Sequence, residues 1–149
     1  MTAMMPGVDV DGSTELDAER AAVLGVVRRF DGAVDSGDFT EVERLSLDDL
    51  VFFGSGAGEE SVGPAGLARM LTGLRDGAAA DLVEWALTTN DDYSVSVRGD
   101  AAVVTASASF RLELAAGTRS GRYLQTYVLH RTEDGWKVWA YHGSEPQPW

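Results

Sequence analysis

Apolar residues recur at helical spacing in the first third of the chain and at every second position through most of its second half. Leu16, Val23, Val26, Val27, Phe30 and Val34 form one stripe of a helix. Thr14 followed by Asp17 fits a capping box at its start. Gly37, which enters the left-handed region without penalty, predicts its stop. Asp38 with Glu41 opens a short helix over 39–46 that buries Phe39, Val42 and Leu45. Asp48-Asp49 reads as turn chemistry leading to a short apolar strand, 50–53. The stretch 54–60, GSGAGEE, reads as a loop. Gly63-Pro64 starts a third helix, with proline where its missing donor does no harm. Leu67, Met70, Leu71 and Leu74 are its buried face, while Gly66 and Gly73 each weaken it by about 1 kcal/mol against alanine. Residues 1–13 show no period and read as a disordered tail, leaving 14–149 as one domain.

After Gly77 the period becomes two. Val83, Trp85 and Leu87 alternate, Asn90-Asp91-Asp92 is a turn, and Tyr93, Val95 and Val97 alternate again. Gly99-Asp100 turns the chain into a long strand, 101–114, whose even residues from Val104 to Leu114 are all apolar. A final hairpin pairs 119–131 with 136–143 across the turn 132–135. In its first strand Tyr123, Gln125, Tyr127 and Leu129 share a face, opposite Leu124, Thr126, Val128 and His130. In the second, Trp139 and Tyr141 lie opposite Trp136, Val138, Ala140 and His142. Neither face of this sheet is plainly polar, so both are expected to be covered. Helices first and antiparallel strands afterwards predict an α+β fold, three N-terminal helices on a strongly curved, mostly antiparallel sheet. Such a sheet curls into a cone-shaped barrel closed at one end, with a pocket at the other. The helices cover its inner face, and a second copy of the chain is expected on the outer one.

Composition narrows the chemistry. Twelve Lys and Arg against twenty-four Asp and Glu give a net charge of −12, with no basic stripe to offset it. That field repels phosphate backbones and anionic membranes, so neither nucleic acid nor membrane is an expected partner. Without cysteine there is no disulfide, thiol nucleophile or thiolate metal ligand. The N-terminus lacks the pattern of a signal peptide and no apolar run reaches membrane-spanning length, which together fit a cytoplasmic protein.

Several short motifs in order resemble the nuclear-transport-factor-like superfamily, and within it the SnoaL-like and ketosteroid-isomerase-like domains. They are Asp35-Ser36-Gly37-Asp38, Asp48-Asp49, Gly63, Gly99-Asp100-Ala101, Asp134-Gly135-Trp136-Lys137-Val138 and His142-Gly143-Ser144, spread over residues 15–146. The resemblance implies a cone-shaped pocket lined by Phe30, Phe53, Leu71, Trp85, Phe110, Gln125, Tyr127, Trp139 and Tyr141. It also shows what is absent. Where ketosteroid isomerases carry an oxyanion-binding Tyr, this chain has Phe30. Their base falls near Gly54-Ser55, and their protonated Asp at Tyr127. The epoxide hydrolase carboxylate of the last strand falls at Tyr141.

Tyr127 and Tyr141 are the candidate catalytic residues, as inward hydroxyls able to hold a carbonyl or a developing enolate. Phe30, Phe53, Leu71, Trp85, Phe110, Gln125, Trp139 and His142 are the ligand-binding candidates. By parity, His130 and His142 point away from the pocket, which favours a structural or interface role. No third ligand joins them, so no metal is expected, nor any other cofactor. Glu59 and Glu60 are the carboxylates considered for a general base. Three readings stay open: an isomerase, cyclase or dehydratase acting on an apolar carbonyl compound, a pocket that binds such a small apolar or aromatic molecule without turnover, and a dimerisation module.

Overall fold

The computed structural model describes residues 8–76 and 82–148. Three helices precede and interleave with a seven-stranded sheet: α1 (Val8–Ser36), α2 (Phe39–Leu45), β1 (Ser46–Phe53), β2 (Glu60–Val62), α3 (Gly63–Arg75), β3 (Leu82–Thr89), β4 (Ser94–Arg98), β5 (Ala101–Leu114), β6 (Gly117–Thr132) and β7 (Gly135–Ser144). The strands run in the order β2-β1-β7-β6-β5-β3, with β4 beside β5 as well. Only β1 and β7 pair in parallel. The fold is therefore α+β, three helices on a mixed, mostly antiparallel sheet that does not close on itself.

Most of the periodic signals hold. Val23, Val27 and Phe30 of α1 are buried. Gly37 ends the helix at a φ of 73°. Asp38 caps α2 by accepting from the Glu41 N–H at 3.2 Å. Replacing it with alanine orphans that donor and is expected to cost about 1 kcal/mol. A thermal melt of Asp38→Ala checks this, and an unchanged midpoint would remove the cap from the account. Gly99 and Gly135 take positive φ in the hairpin turns, 58° and 105°. The even residues of β5 from Ala102 to Phe110 and the set Gln125, Tyr127 and Leu129 of β6 are all buried.

Four local expectations change. Helix α1 already runs from Val8, so the expected tail falls partly within it and otherwise, over 1–7, outside the described residues. Asp48-Asp49 is not a turn but lies inside β1, where the register with β7 shifts between Ser46 and Val51. The end of the glycine loop pairs with β1 as the short strand β2, which the loop composition hid. Val83 lies on the exposed face, because the β3–β5 register shifts between Leu82 and Glu84.

Helix α1 lies against β4, β5 and β7. Its outer turn is tied to the last strand by the Trp136 indole N–H, which donates to Glu19 at 2.7 Å. Arg131 bridges to the same carboxylate at 3.1 Å and lies over the Trp136 ring. This seam fixes the depth at which α1 presents its later turns, Phe30 to Asp35, to the sheet.

Candidate functional site

A cavity of about 200 Å³ opens between the later turns of α1, helix α3, the 54–59 loop and the inner face of β3, β5, β6 and β7. Its walls are largely aromatic and aliphatic: Phe30, Phe52, Leu71, Trp85, Phe110 and Tyr141. Polar side chains on it include Asp31, Thr89, Gln125, Tyr141 and Tyr123.

Asp31 is the group that sequence reasoning missed. Its side chain accepts from the Tyr127 hydroxyl at 2.6 Å and from the Tyr93 hydroxyl at 3.3 Å. Burial raises its pKa from 3.8 to about 6, a rise that the Tyr127 hydrogen bond opposes and the neighbouring Asp35 charge reinforces. A signal for it existed. Asp31 stands four residues after Val27 and three before Val34, which puts a carboxylate in the middle of the apolar stripe of α1. A charge in that position needs partners, and only the fold supplies them, from β6 and the turn before β4.

Beyond Asp31 the hydrogen bonds continue. Gln125, buried at the cavity wall, has its Oε1 3.0 Å from the Tyr127 hydroxyl and 2.9 Å from that of Tyr141. Its Nε2 donates to Thr89 Oγ1 at 3.1 Å. Tyr123 lies next to both Tyr141 and Ser55 of the glycine loop. Burial pushes the Tyr127 and Tyr141 phenols far up, as do nearby acidic groups, Asp31 first for Tyr127 and Tyr123 first for Tyr141. Both hydroxyls therefore stay protonated and act as hydrogen-bond donors.

The structure brings Phe30, Leu71, Trp85, Phe110, Gln125 and Tyr141 together around the cavity. It places Tyr127 behind the wall, fully buried, with its hydroxyl occupied by Asp31 and Gln125. Phe53, Trp139 and His142 lie on the opposite face of the sheet. Phe52 takes the inward place beside β7 and stacks on Tyr141 at 4.4 Å, while Phe53 meets the edge of His142 at 6.3 Å. The reversal at Trp139 comes from a bulge. Val128 pairs with Ala140 but Leu129 pairs with Val138, so Trp139 has no partner on β6 and the alternation restarts after it. Trp139 then sits beside His130 on the outer face, 44% exposed. Glu59 lines the cavity, with its carboxylate held by the Gly56 N–H at 2.9 Å, whereas Glu60 is exposed on β2. Among the described residues no group of three or more His, Cys, Asp and Glu side chains is placed to hold a metal ion. No helix among them is long and apolar enough to cross a membrane.

A family model, that of the SnoaL-like domain, matches residues 23–148. No curated protein matches the sequence. Among solved structures, a nuclear transport factor 2-like protein with a cystatin-like fold from Novosphingobium aromaticivorans is 19% identical. That match covers 99% of this chain and 94% of the other, with a TM-score of 0.76. A protein of the same family from Streptomyces avermitilis, provisionally named a dehydratase, is 23% identical over 89% of this chain and 99% of its own, with a TM-score of 0.69. The CaMKII hub of S. rosetta is 25% identical over 85% of this chain and 96% of its own, with a TM-score of 0.68. The same fold is thus shared by a protein provisionally named a dehydratase and by a CaMKII hub.

Proposed function

The chain belongs to the SnoaL-like domain family, and on that footing we propose that it is a cofactor-independent acid–base enzyme of the isomerase, cyclase or dehydratase kind. The observation that carries this reading is Asp31, a carboxyl on the wall of a largely apolar cavity whose pKa burial raises to about 6. A base poised there is mostly ionised at pH 7 yet basic enough to take a proton from a carbon next to a carbonyl. Tyr141 supports the other half of the reaction as a donor to the oxygen on which charge develops. Tyr127 acts behind them as a positioning residue, aiming the carboxylate.

The lining also selects the substrate by charge. Among the described lining residues Asp31, Asp35, Glu59 and Glu145 stand against one cation, Arg119, and Arg119 is already paired with Glu145. An anionic ligand meets net repulsion, which supports an uncharged, apolar carbonyl compound as the substrate class. Deuterium incorporation next to the carbonyl of apolar cyclic ketones, followed by NMR in heavy water, tests the proposal. The wild-type chain is expected to accelerate exchange, and Asp31→Asn to lose about 10²–10⁴ of that rate. Ketones that bind without any exchange above the Asp31→Asn background would make the cavity a binding site only.

The outer sheet face favours a second, compatible role. Phe53, Trp139, Val103 and Leu124 are each 38–44% exposed there, beside His130 and His142. We infer that this face carries a homodimer burying at least about 1,000 Å² in total. Light scattering at tens of micromolar is expected to give twice the 15.9 kDa chain mass. Trp139→Glu, which puts a charge at the centre of the patch, is expected to return it to a monomer without unfolding. A wild-type monomer at that concentration would rule the interface out.

A further inference from the structure

Tyr93, Asp31, Tyr127, Gln125 and Thr89 form one chain of hydrogen bonds. Tyr93 meets Asp31 Oδ2 at 3.3 Å, Asp31 Oδ1 meets Tyr127 at 2.6 Å, Tyr127 meets Gln125 Oε1 at 3.0 Å, and Gln125 Nε2 meets Thr89 at 3.1 Å. Four links need four hydrogens. With Asp31 protonated each link has one: Tyr93 donates to the carboxyl, the carboxyl to Tyr127, Tyr127 to Gln125 Oε1, and Gln125 Nε2 to Thr89.

Removing the proton leaves three of those hydrogens for four links. Tyr127 must then give its single hydrogen to the carboxylate, because a charge-assisted bond is the stronger one. If the Gln125 amide keeps its orientation, two oxygens face each other at 3.0 Å with no hydrogen between them. Both partners are almost wholly buried, Tyr127 at 0% and Gln125 at 3% exposure, so leaving that contact unfilled is costly. Turning the amide over closes the gap. Nε2 then donates one hydrogen to Tyr127 and the other to Tyr141, and Oε1 accepts from Thr89, whose hydroxyl hydrogen the first arrangement leaves unused.

The turn changes what the cavity sees. In the first orientation Tyr141 spends its hydrogen on Gln125 Oε1. In the second Tyr141 receives a hydrogen from Gln125, and its own is released towards Tyr123 or a ligand oxygen. We infer that the Gln125 amide turns over with the protonation of Asp31, so that in the ligand-free chain Tyr141 offers its hydrogen to the cavity only while Asp31 is ionised. This deepens the acid–base reading and rests on it. The base and the oxyanion donor are thus ready in the same state, before the substrate is deprotonated. Gln125 is the positioning residue that couples them.

The groups that bear on this titration are few. Tyr127 and Tyr93 face Asp31 from the sheet side, and Asp35 from its own helix. Arg28 lies over the Tyr93 ring at 5.4 Å and pairs with Asp91 at 2.9 Å. Tyr141 is faced by Tyr123 and, further off, by Glu59. His130 and His142 stand on the other side of the sheet.

Protein labelled with ¹⁵N in glutamine side chains and ¹³C at tyrosine Cζ and aspartate Cγ, titrated by NMR from pH 4.5 to 7.5, tests the coupling. Gln125 Nε2 and Tyr141 Cζ are expected to shift with the same midpoint as Asp31 Cγ, and Gln125 to be invariant in Asp31→Asn. In Gln125→Leu, Asp31 should still titrate while Tyr141 Cζ stops following it. A titrating Asp31 beside a motionless Gln125 amide overturns the inference and leaves Asp31 as base intact. Tyr141 that still follows Asp31 in Gln125→Leu overturns it too. An Asp31 that does not titrate in this range takes both readings down.

Discussion

Asp31→Asn is expected to melt higher than the wild-type chain at pH 7.5 and at the same temperature at pH 4, while losing its exchange activity. The carboxyl's pKa is raised in the folded state, from 3.8 to about 6. Between those values the native chain holds a proton that the unfolded chain has released, so stability falls as pH rises. The contribution is fully present below about pH 4 and lost on passing through about pH 6. Above that the buried charge costs up to about 3 kcal/mol, since each tenfold gain in proton affinity is worth about 1.4 kcal/mol. Asparagine keeps an oxygen for Tyr127 and never ionises, so it escapes the whole cost. At about 2–4 °C per kcal/mol for a chain this long, the midpoint should rise by roughly 6–12 °C at pH 7.5. A stabilising change that removes the activity is what a base held at a structural cost produces. Melting curves of both proteins from pH 4 to 8 decide it. A gap that does not vary with pH would show that Asp31 carries no unusual proton affinity.

Phe52→Ala and Phe53→Ala are expected to differ far more than their adjacency suggests. Phe52 is 8% exposed, stacked on Tyr141 and part of the cavity wall. Its truncation should destabilise the chain by about 3–5 kcal/mol, through lost burial and the void left behind. The wall supporting Tyr141 goes with it, so ligand binding weakens as well. Phe53 is 44% exposed on the other face. Its truncation should cost under about 1 kcal/mol in the monomer and act on self-association instead. Denaturant unfolding of the two variants, with light scattering beside it, separates these outcomes. Equal losses would place both rings in the core and contradict the register of β1 on β7.

Periodicity alone was enough for the architecture. The stripe Val23, Val27, Phe30, the Asp38 cap, the glycine turns and the even face of β5 are local signals, each set by one segment's own geometry. They survive because the tertiary structure reinforces each of them. Phe110 and Gln125, placed on the pocket by the family resemblance, lie on its wall because their stretches of β5 and β6 keep the alternation of a regular strand.

What failed depends on how one segment meets another. Alternation in β1 cannot say which of Phe52 and Phe53 faces the helices. Only the pairing of Phe52 with Tyr141 and of Phe53 with His142 decides it. The bulge at Trp139 reverses a parity that sequence alone carries straight through, because a bulge is a property of two strands together. Asp31 is the sharpest case. In the sequence it is one of twenty-four acidic residues, most of which meet solvent. Its raised proton affinity arises from burial, tempered by hydrogen bonds from Tyr127, ninety-six residues away, and Tyr93, sixty-two away. Desolvation and hydrogen bonding act through space, so the chain's own order marks the position of that carboxylate and the fold alone makes it a base.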